Sequence, residues 1–293
     1  MNLALTVLEI TAPVFILAAV GFGWVKVGFE YRVEFVTRLA MTLAVPCLIF
    51  TALMKTQIQP EALTSLFFAS AAAYGVVSVA AWALVRLTRL DVRTFLAPII
   101  FGNTGNLGLP LAMFAFGEVG LGYAVVVFAV MAVWSFTFGV WLVAGGGSLA
   151  KVVKEPLVAA TLLGGLFLWQ GWQTPIFLTN ALELIGQMAI PIMLITLGVA
   201  VARMTPGHVG RAIWISLAKL ALCFGLTWGV GLWFHLDRTA FAVLVLQLST
   251  PVAVTSYLLA EKYGADAESV AGLVVVSTVM SVFAIPIMLA VLL

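Results

Sequence analysis

The stretch Gly102-Asn103-Thr104-Gly105-Asn106-Leu107-Gly108-Leu109-Pro110 lies in the middle of an apolar run that extends from about Thr94 to Phe116. At a rise of about 1.5 Å per residue, a helix over this run would be roughly 33 Å long, enough to cross the hydrocarbon core of a bilayer. The glycines, asparagines and proline at its centre disfavour a continuous helix. Backbone that is not helical at membrane depth persists only where protein buries it or water reaches it. The stretch therefore predicts a helix that breaks midway, as in the substrate sites of many carriers.

The composition places almost the whole chain inside the membrane. Its 293 residues are 63% hydrophobic and 9% charged, with a mean hydropathy of +1.18, whereas a soluble domain carries about 25% charged residues. The net charge of +2 and the lack of a dense basic cluster predict no nucleic-acid partner. Cys47 and Cys223 fall within apolar spans, which argues against a disulfide. The first apolar run continues past Val20, so we expect a membrane span rather than a cleaved leader.

The apolar runs predict ten membrane spans, at about 3–25, 36–54, 62–85, 94–116, 121–143, 155–171, 177–202, 211–234, 239–260 and 268–292. The connections are short, and Gly145-Gly146-Gly147-Ser148 predicts a flexible joint near the midpoint. We expect one five-helix unit over 1–145, a second over 150–293, and no soluble domain.

Basic residues are distributed unequally between the two faces of the predicted bundle. The loops after odd-numbered spans hold Lys26, Arg32, Arg38, Arg86, Arg89, Arg93, Lys151, Lys154, Arg203, Arg211 and Lys262. The opposite face holds only Lys55 and Arg238. The positive-inside rule therefore predicts a multi-pass protein of the inner (plasma) membrane with both termini on the extracytoplasmic side.

The two halves of the chain share residues at a nearly constant offset. At a spacing of 145 or 146 positions, the pairs are Trp24 and Trp169, Pro46 and Pro191, Trp82 and Trp228, Leu90 and Leu236, Asp91 and Asp237, and Phe95 and Phe241. Because five spans is an odd number, the second half must be inverted relative to the first. The expected fold is therefore an all-α polytopic membrane protein with ten transmembrane helices in two inverted five-helix repeats.

The repeat predicts a second break, in span 9, where the sequence reads Gln247-Leu248-Ser249-Thr250-Pro251-Val252 and Thr250 matches Thr104. The alternative is a simple proline kink. Two equivalent breaks would place half-helix N-termini near Pro110 and Val252 at one point, and their free N–H groups favour a small anion. The expected substrate-binding residues are Asn103, Thr104, Gly105, Asn106, Pro110, Gln247, Ser249, Thr250 and Pro251.

Three ionisable residues are candidates for ion or charge coupling. Lys219 lies near the centre of span 8, where a charge is costly and usually functional. It would pair with the substrate, replace a coupling cation or change protonation; the alternative is that its stem snorkels to the interface. Glu9 is either a cation ligand or an interfacial carboxylate. Glu183 shares a helical face with Asn180 and Gln187, which either lines an entry path or meets lipid headgroups.

Two further features concern the helices beside the breaks and metal binding. Pro46 and Pro191, at equivalent positions, are expected to kink their helices next to the crossing. His208 and His235 lie in loops away from other ligand types, so no metal site is expected.

At these residues the sequence resembles the auxin efflux carrier family, which includes plant auxin exporters and bacterial malate and malonate permeases. The resemblance covers nearly the whole chain and is most specific at 102–110 and at 247–263. It implies a mobile transport unit that contains crossed helices, a scaffold unit that forms a homodimer, a substrate-binding Asn103 and a matching Pro251. The family is related in fold to the bile acid–sodium symporters. The long cytoplasmic loop of many plant members is missing, and Ser256 stands where they have a second proline, as in a short bacterial-type carrier.

These features predict an alternating-access secondary transporter for a small organic anion, a mono- or dicarboxylate such as malate, malonate or an auxin-like acid. No cofactor is expected; Na⁺, H⁺ and uniport remain open. The alternatives are a sodium-coupled organic anion symporter of the bile-acid type and a non-transporting receptor or channel on the same fold. An enzyme is not expected, because the spans contain no Ser/His pair, paired aspartates or metal-ligand spacing.

Overall fold

The computed structural model describes residues 3–56, 58–144, 156–205 and 207–293, and these ranges contain helices and no β-strand. The helices are α1 (Leu3–Lys26), α2 (Val33–Leu39), α3 (Val45–Lys55), α4 (Pro60–Leu87), α5 (Val92–Ile100), α6 (Leu109–Trp134), α7 (Val140–Ala144), α8 (Pro156–Gln170), α9 (Ile176–Gln187), α10 (Ala189–Arg203), α11 (Val209–Trp233), α12 (Arg238–Leu248), α13 (Val254–Tyr263) and α14 (Ala267–Leu292). Three widened π-helical turns lie between these helices. Ala40–Ala44 joins α2 to α3, Thr104–Gly108 precedes α6, and Ser135–Gly139 joins α6 to α7. The predicted joint at 145–148 and the expected unit boundary at 145–150 lie outside the described residues.

Among the described residues, seven helical segments are long and apolar enough to cross a bilayer by length and composition. They are Ala4–Lys26, Val33–Lys55, Pro60–Leu87, Thr104–Val143, Ile176–Arg203, Val209–Trp233 and Ala267–Leu292. Val158–Gln170 and Arg238–Leu248 are shorter apolar helices. The prediction of an all-helical, multi-pass membrane protein is confirmed, and the count of ten spans stays a prediction.

The proline positions explain two irregularities in the long helices. Pro46 is the second residue of α3, which begins directly after the widened turn Ala40–Ala44. Pro191 lies just after the junction at which α9 ends at Gln187 and α10 begins at Ala189. A proline cannot donate to the carbonyl four residues earlier, and its ring clashes with that carbonyl, so the deformation falls in the preceding turn.

Helix packing separates the chain into two neighbourhoods that meet around the interrupted helices. Helix α1 packs along α10, and α3 packs against α8 and α9. Helices α4, α5, α6, α11, α12 and α14 contact one another around the segments where α5 and α12 end. The largest buried apolar cluster draws on α4, α5 and α6, and a second joins α1 and α10 to α12 and α14. Both helix interruptions therefore lie in the protein interior.

Candidate functional site

The first interruption follows α5. After Ile100 the backbone is extended at Phe101, and winding resumes at Thr104 as a π-helical turn that leads into α6. The carbonyl of Asn103 accepts hydrogen bonds from the amides of Leu107 and Gly108, both at 3.1 Å. The sequence analysis placed the start of the second half near Pro110. In the structure the second half starts about six residues earlier, at Thr104. As at Pro46, a widened turn precedes the proline and accommodates the carbonyl that lacks its usual donor.

The second interruption follows α12 and is stabilised by local hydrogen bonds. Helix α12 ends at Leu248 and α13 begins at Val254, close to the predicted start at Val252. The Thr250 hydroxyl donates to the Gln247 carbonyl at 2.7 Å. The amide of Val252 donates to Oγ of Ser277, on α14, at 3.0 Å. This segment is therefore a break with its own partners rather than a simple proline kink.

The two interruptions bond directly to each other. Gly102 and Val252 form an isolated antiparallel bridge. On either side of it, the Asn103 amide donates to the Pro251 carbonyl at 2.7 Å, and the Ala253 amide donates to the Phe101 carbonyl at 3.3 Å. Buried backbone groups require partners, and here some of the groups freed by one broken helix are satisfied by the other. We call this unit, residues 101–104 with 247–253, the paired breaks.

Two glycines allow this close approach. A Cβ atom on Gly102 would lie 2.3 Å from Oγ1 and 3.1 Å from the backbone oxygen of Thr250. A Cβ atom on Gly108 would lie 2.0 Å from Oε1 of Gln247. Both distances to side-chain oxygens are far below van der Waals contact. Glycine at positions 102 and 108 is thus explained by proximity to Thr250 and to the Gln247 side chain.

Several buried polar side chains at the paired breaks have no hydrogen-bond partner within the described structure. The atoms are Nδ2 of Asn103, Oγ1 of Thr104, both amide atoms of Gln247, and Oγ of Ser249. Buried polar groups are normally satisfied, and leaving one unsatisfied costs about 1–3 kcal/mol. Such a concentration of unsatisfied groups at one place indicates a site for a ligand or water. Thr250 differs, because its hydroxyl is used within the break.

The remaining predicted binding residues have mainly structural surroundings. Gly105 is packed so that a Cβ atom there would lie 3.2 Å from the Phe128 ring. Asn106 is partly buried, and Pro110 is buried in the first turn of α6. Pro251 contributes its carbonyl to the bond between the breaks. Of the predicted binding residues, the paired breaks therefore bring together Asn103, Thr104, Gln247, Ser249, Thr250 and Pro251.

A small cavity of about 20 Å³ lies beside the second break. Its lining includes Ser249 and Thr250, Ser216 and Lys219 of α11, and Ser277 of α14. This volume suffices for about one water molecule. Lys219 is 2% exposed, which rules out a side chain that reaches the membrane surface.

A larger cavity of about 710 Å³ is bounded by α3, α6, α9 and α10. Lys55, Glu118, Glu183, Gln187 and Pro191 are among its lining residues. Lys55 and Glu183 form an ion pair across it. Its mostly apolar wall with a few charged and amide side chains, together with its volume, is typical of a small-molecule site.

Some predicted residues lie apart from these features. Asn180 and Glu9 are exposed and line neither of the two cavities described above. His208 and His235 belong to loops beside α11. Across the described ranges, no group of three or more histidine, cysteine or acidic residues is placed to hold a metal ion.

Sequence analysis missed the polar residues that face the second break from neighbouring helices. Ser216 lies three residues before Lys219, while Ser277 and Ser281 are four apart on α14, and all three line the small cavity. These spacings put each pair on one helical face. A polar stripe in an otherwise apolar span was the available signal.

The described ranges are helical, with seven apolar segments of membrane-spanning length and buried helix breaks, which are features of a polytopic membrane transporter. The family described as membrane transport protein matches residues 6–152 and 146–289, and the chain belongs to this family. This confirms the assignment that the resemblance to the auxin efflux carriers indicated.

Individual relatives are similar to the chain at modest identity. A transporter of Methanothermobacter thermautotrophicus, named as uncharacterized, is 26% identical over 292 residues, covering 95% of this chain and 96% of the relative. A protein of Rhizobium meliloti, provisionally named as a malonate transporter, is 25% identical over 199 residues, 62% of this chain and 61% of the relative. An uncharacterized transporter of Methanocaldococcus jannaschii is 25% identical over 215 residues, 64% of each chain. The chain thus spans less than two thirds of the latter two relatives.

Proposed function

We propose that the chain is a secondary transporter that moves a small organic anion across the membrane by alternating access. In this proposal the described helices form ten crossing segments in two inverted five-helix repeats, and the paired breaks are the point at which spans 4 and 9 cross. The substrate is a mono- or dicarboxylate, of which malonate is the first to test because one relative is provisionally named for it.

The observation that carries the proposal is the set of unsatisfied polar groups at the paired breaks. Asn103, Thr104 and Gln247 are at most 5% exposed, yet their side chains include atoms without partners. A protein retains such a cost where a ligand supplies the missing partner. The Asn103 and Gln247 amides can donate to a carboxylate, and the hydroxyls of Thr104 and Ser249 can do the same.

The backbone around these side chains also favours an anion. The turn that starts at Thr104 and helix α13, which starts at Val254, present N-terminal N–H groups beside the paired breaks. Helix N-termini carry partial positive charge and bind anions without a buried arginine. A small carboxylate is therefore the class of ligand that best fits both the donors and the charge.

The larger cavity supports a path toward this site. Pro191 lines it, and Met193, two residues further along α10, lies against Gly105 of the first break. Asn103, Thr104 and Gln247 line neither cavity. A substrate that reaches them from either side would require helices to move, which is the requirement of an alternating-access carrier.

The direct test is uptake and counterflow of labelled malonate, malate and indole-3-acetate in proteoliposomes. We expect saturable exchange of at least one of these acids by the wild-type protein. Asn103→Ala removes one amide donor to a charged ligand, which is worth about tenfold or more in affinity. Gln170→Ala, an exposed amide at the end of α8, is the matched control. Unchanged affinity and turnover in Asn103→Ala would remove the paired breaks from the substrate site.

A further inference from the structure

Lys219 is a buried amine for which the described structure supplies no carboxylate. It is 2% exposed, and no ion pair of Lys219 occurs among the described residues. Its Nζ contacts Sγ of Cys223, one turn further along α11, at 3.8 Å. Burying an ammonium ion without compensation is strongly unfavourable, so a charged Lys219 requires surroundings that stabilise a cation.

The surroundings of Lys219 are rich in oxygen atoms and helix C-termini. The cavity it lines also holds the hydroxyl-bearing residues Ser216, Ser249, Ser277 and Ser281. Oγ of Ser216 and of Ser249 have no hydrogen-bond partner within the described chain. This cavity lies against the end of α12, whose C-terminus carries partial negative charge.

The first break also places a helix C-terminus near Lys219. The Cys223 thiol that contacts Lys219 also donates to the Ile99 carbonyl, in the last turn of α5, at 3.8 Å. The C-terminal ends of both broken first halves are thus close to one ammonium group, directly or through a single side chain. Hydroxyl and carbonyl oxygens near helix C-termini form the environment in which a carrier holds a coupling cation.

Other titratable groups near Lys219 are few. On α11 and α4, the neighbouring groups are the Cys223 thiol and the Tyr74 hydroxyl. On α5, α12 and α14, the helices that pack on α11, the carboxylates lie at the N-terminal ends, at Asp91, Asp237, Asp266 and Glu268. The Lys219 ammonium is therefore the positive charge that is available to the carbonyl groups at the ends of α5 and α12.

We propose that the Lys219 ammonium is a tethered cation that takes the place of a co-bound metal cation, so that the anion is carried without sodium. The inference rests on the proposed function and deepens it by naming the charge balance at the same site. Lys219 acts as a positioning residue: it stabilises the ends of α5 and α12 at the paired breaks, which present Asn103 and Gln247 to the ligand.

The experiment replaces the tethered cation by a free one. Lys219→Ala removes the ammonium and opens a space that methylammonium fits and tetramethylammonium does not. We expect malonate uptake in proteoliposomes to fall at least tenfold, to recover severalfold in millimolar methylammonium, and to stay low in tetramethylammonium. Lys219→Arg should retain more uptake than Lys219→Ala. Wild-type uptake should be equal in sodium and choline buffers. Lys26→Ala, an exposed lysine at the end of α1, controls for loss of a lysine.

A second readout does not depend on transport. Methylammonium should raise the melting temperature of detergent-solubilised Lys219→Ala by several degrees and leave wild type and Lys26→Ala unchanged. If none of the labelled acids is transported by the wild type, the proposed function fails, and this shift still tests the cation site. If Lys219→Ala is recovered folded only when methylammonium is present during extraction, the inference is supported. Equal loss with and without the cation, full uptake by Lys219→Ala, or sodium-dependent wild-type uptake would overturn it.

Discussion

Gly102 and Gly108 determine how closely the two broken helices approach each other. Each faces an oxygen atom of the second break at a distance that leaves no space for a methyl group. Elsewhere in an apolar helix, exchange of glycine for alanine is favourable, because alanine restricts the unfolded chain and has the higher helix propensity. At Gly102 the Thr250 backbone oxygen, 3.1 Å from the Cβ position, cannot move aside like a side chain, so we expect the steric cost to outweigh that gain.

We expect Gly102→Ala to destabilise the protein by about 1–3 kcal/mol, the usual cost of overpacking a close contact. The added methyl would push against the Thr250 backbone oxygen, 3.1 Å from the ideal Cβ position. The measurement is the melting temperature of the purified protein in detergent, together with malonate uptake per inserted molecule. Gly75→Ala, in α4, is the control, because no neighbouring atom lies within 4 Å of its Cβ position. Equal stability of both variants would contradict the close approach.

At the scale of elements, Arg93 connects three helix ends. It lies at the start of α5 and donates from Nη2 to the Val143 carbonyl at 3.0 Å and to the Tyr263 carbonyl at 3.1 Å. These acceptors belong to the last turns of α7 and α13, where carbonyls lack intrahelical partners and carry partial negative charge. One guanidinium thereby ties the ends of α7 and α13 to the beginning of α5.

Arg93→Lys should lower the melting temperature, because a single ammonium group cannot reproduce the forked donors of the guanidinium. Hydrogen bonds to charged groups contribute about 1.5–3 kcal/mol, so we expect Arg93→Ala to be worse than Arg93→Lys. Arg38→Ala is the control, since its ion pair with Glu34 is largely exposed and should contribute little. An Arg93→Ala variant as stable as Arg38→Ala would show that the ends are held by other contacts.

The start of α14 gives the protein a defined response to acid. Asp266 caps this helix, accepting from the hydroxyl of Ser269 at 2.5 Å and from its amide at 3.0 Å. These two bonds, with help from the charge of Arg211, lower the pKa of Asp266 below its usual 3.8. Because the pKa of Asp266 is lower in the folded protein than in the unfolded chain, its ionised carboxylate stabilises the fold at pH values above the unfolded-state pKa. This stabilisation is lost as the pH falls through the folded-state pKa.

Asp266→Asn should therefore reduce the melting temperature at pH 7, and its difference from wild type should shrink as the pH falls below 3.8 and the wild-type carboxyl becomes protonated. The measurement is a melting curve in detergent across this pH range. Glu261→Gln, an exposed carboxylate at the end of α13, is the matched control. A constant difference between Asp266→Asn and wild type at all pH values would rule out titration of this cap as the cause.

At the scale of the whole molecule, the sequence predicted those features that depend on the residues of a single segment. Glycines and a proline in an apolar run are enough to predict a broken helix, and an offset of 146 residues located the second break within a few positions. The contacts between the breaks were out of reach, because they depend on where two distant segments meet. The start of winding at Thr104 was also missed, since a π-helical turn carries no distinct sequence signal. The ligand role of Thr250 stays a prediction, and the hydrogen bond from its hydroxyl to the Gln247 carbonyl was not foreseen.

The distribution of basic residues predicts the orientation of the molecule in the membrane. We expect both termini on the extracytoplasmic side, because lysines and arginines concentrate in the opposite loops. Single cysteines at position 2 and at 293, in a background without Cys47 and Cys223, should react with an impermeant maleimide in intact cells. A cysteine at Arg89 should react only after permeabilisation. The reverse pattern would invert the proposed topology.

The main-chain bonds between Phe101–Asn103 and Pro251–Ala253 make the two segments a length-matched pair. Inserting or deleting one residue in either segment would shift Gly102 away from Val252 and turn the adjoining half-helix by about 100°. Compensation would require a simultaneous change some 150 residues away in the chain. Relatives of this protein should therefore differ in length at their loops and termini, while these two short segments keep a fixed number of residues whatever their side chains.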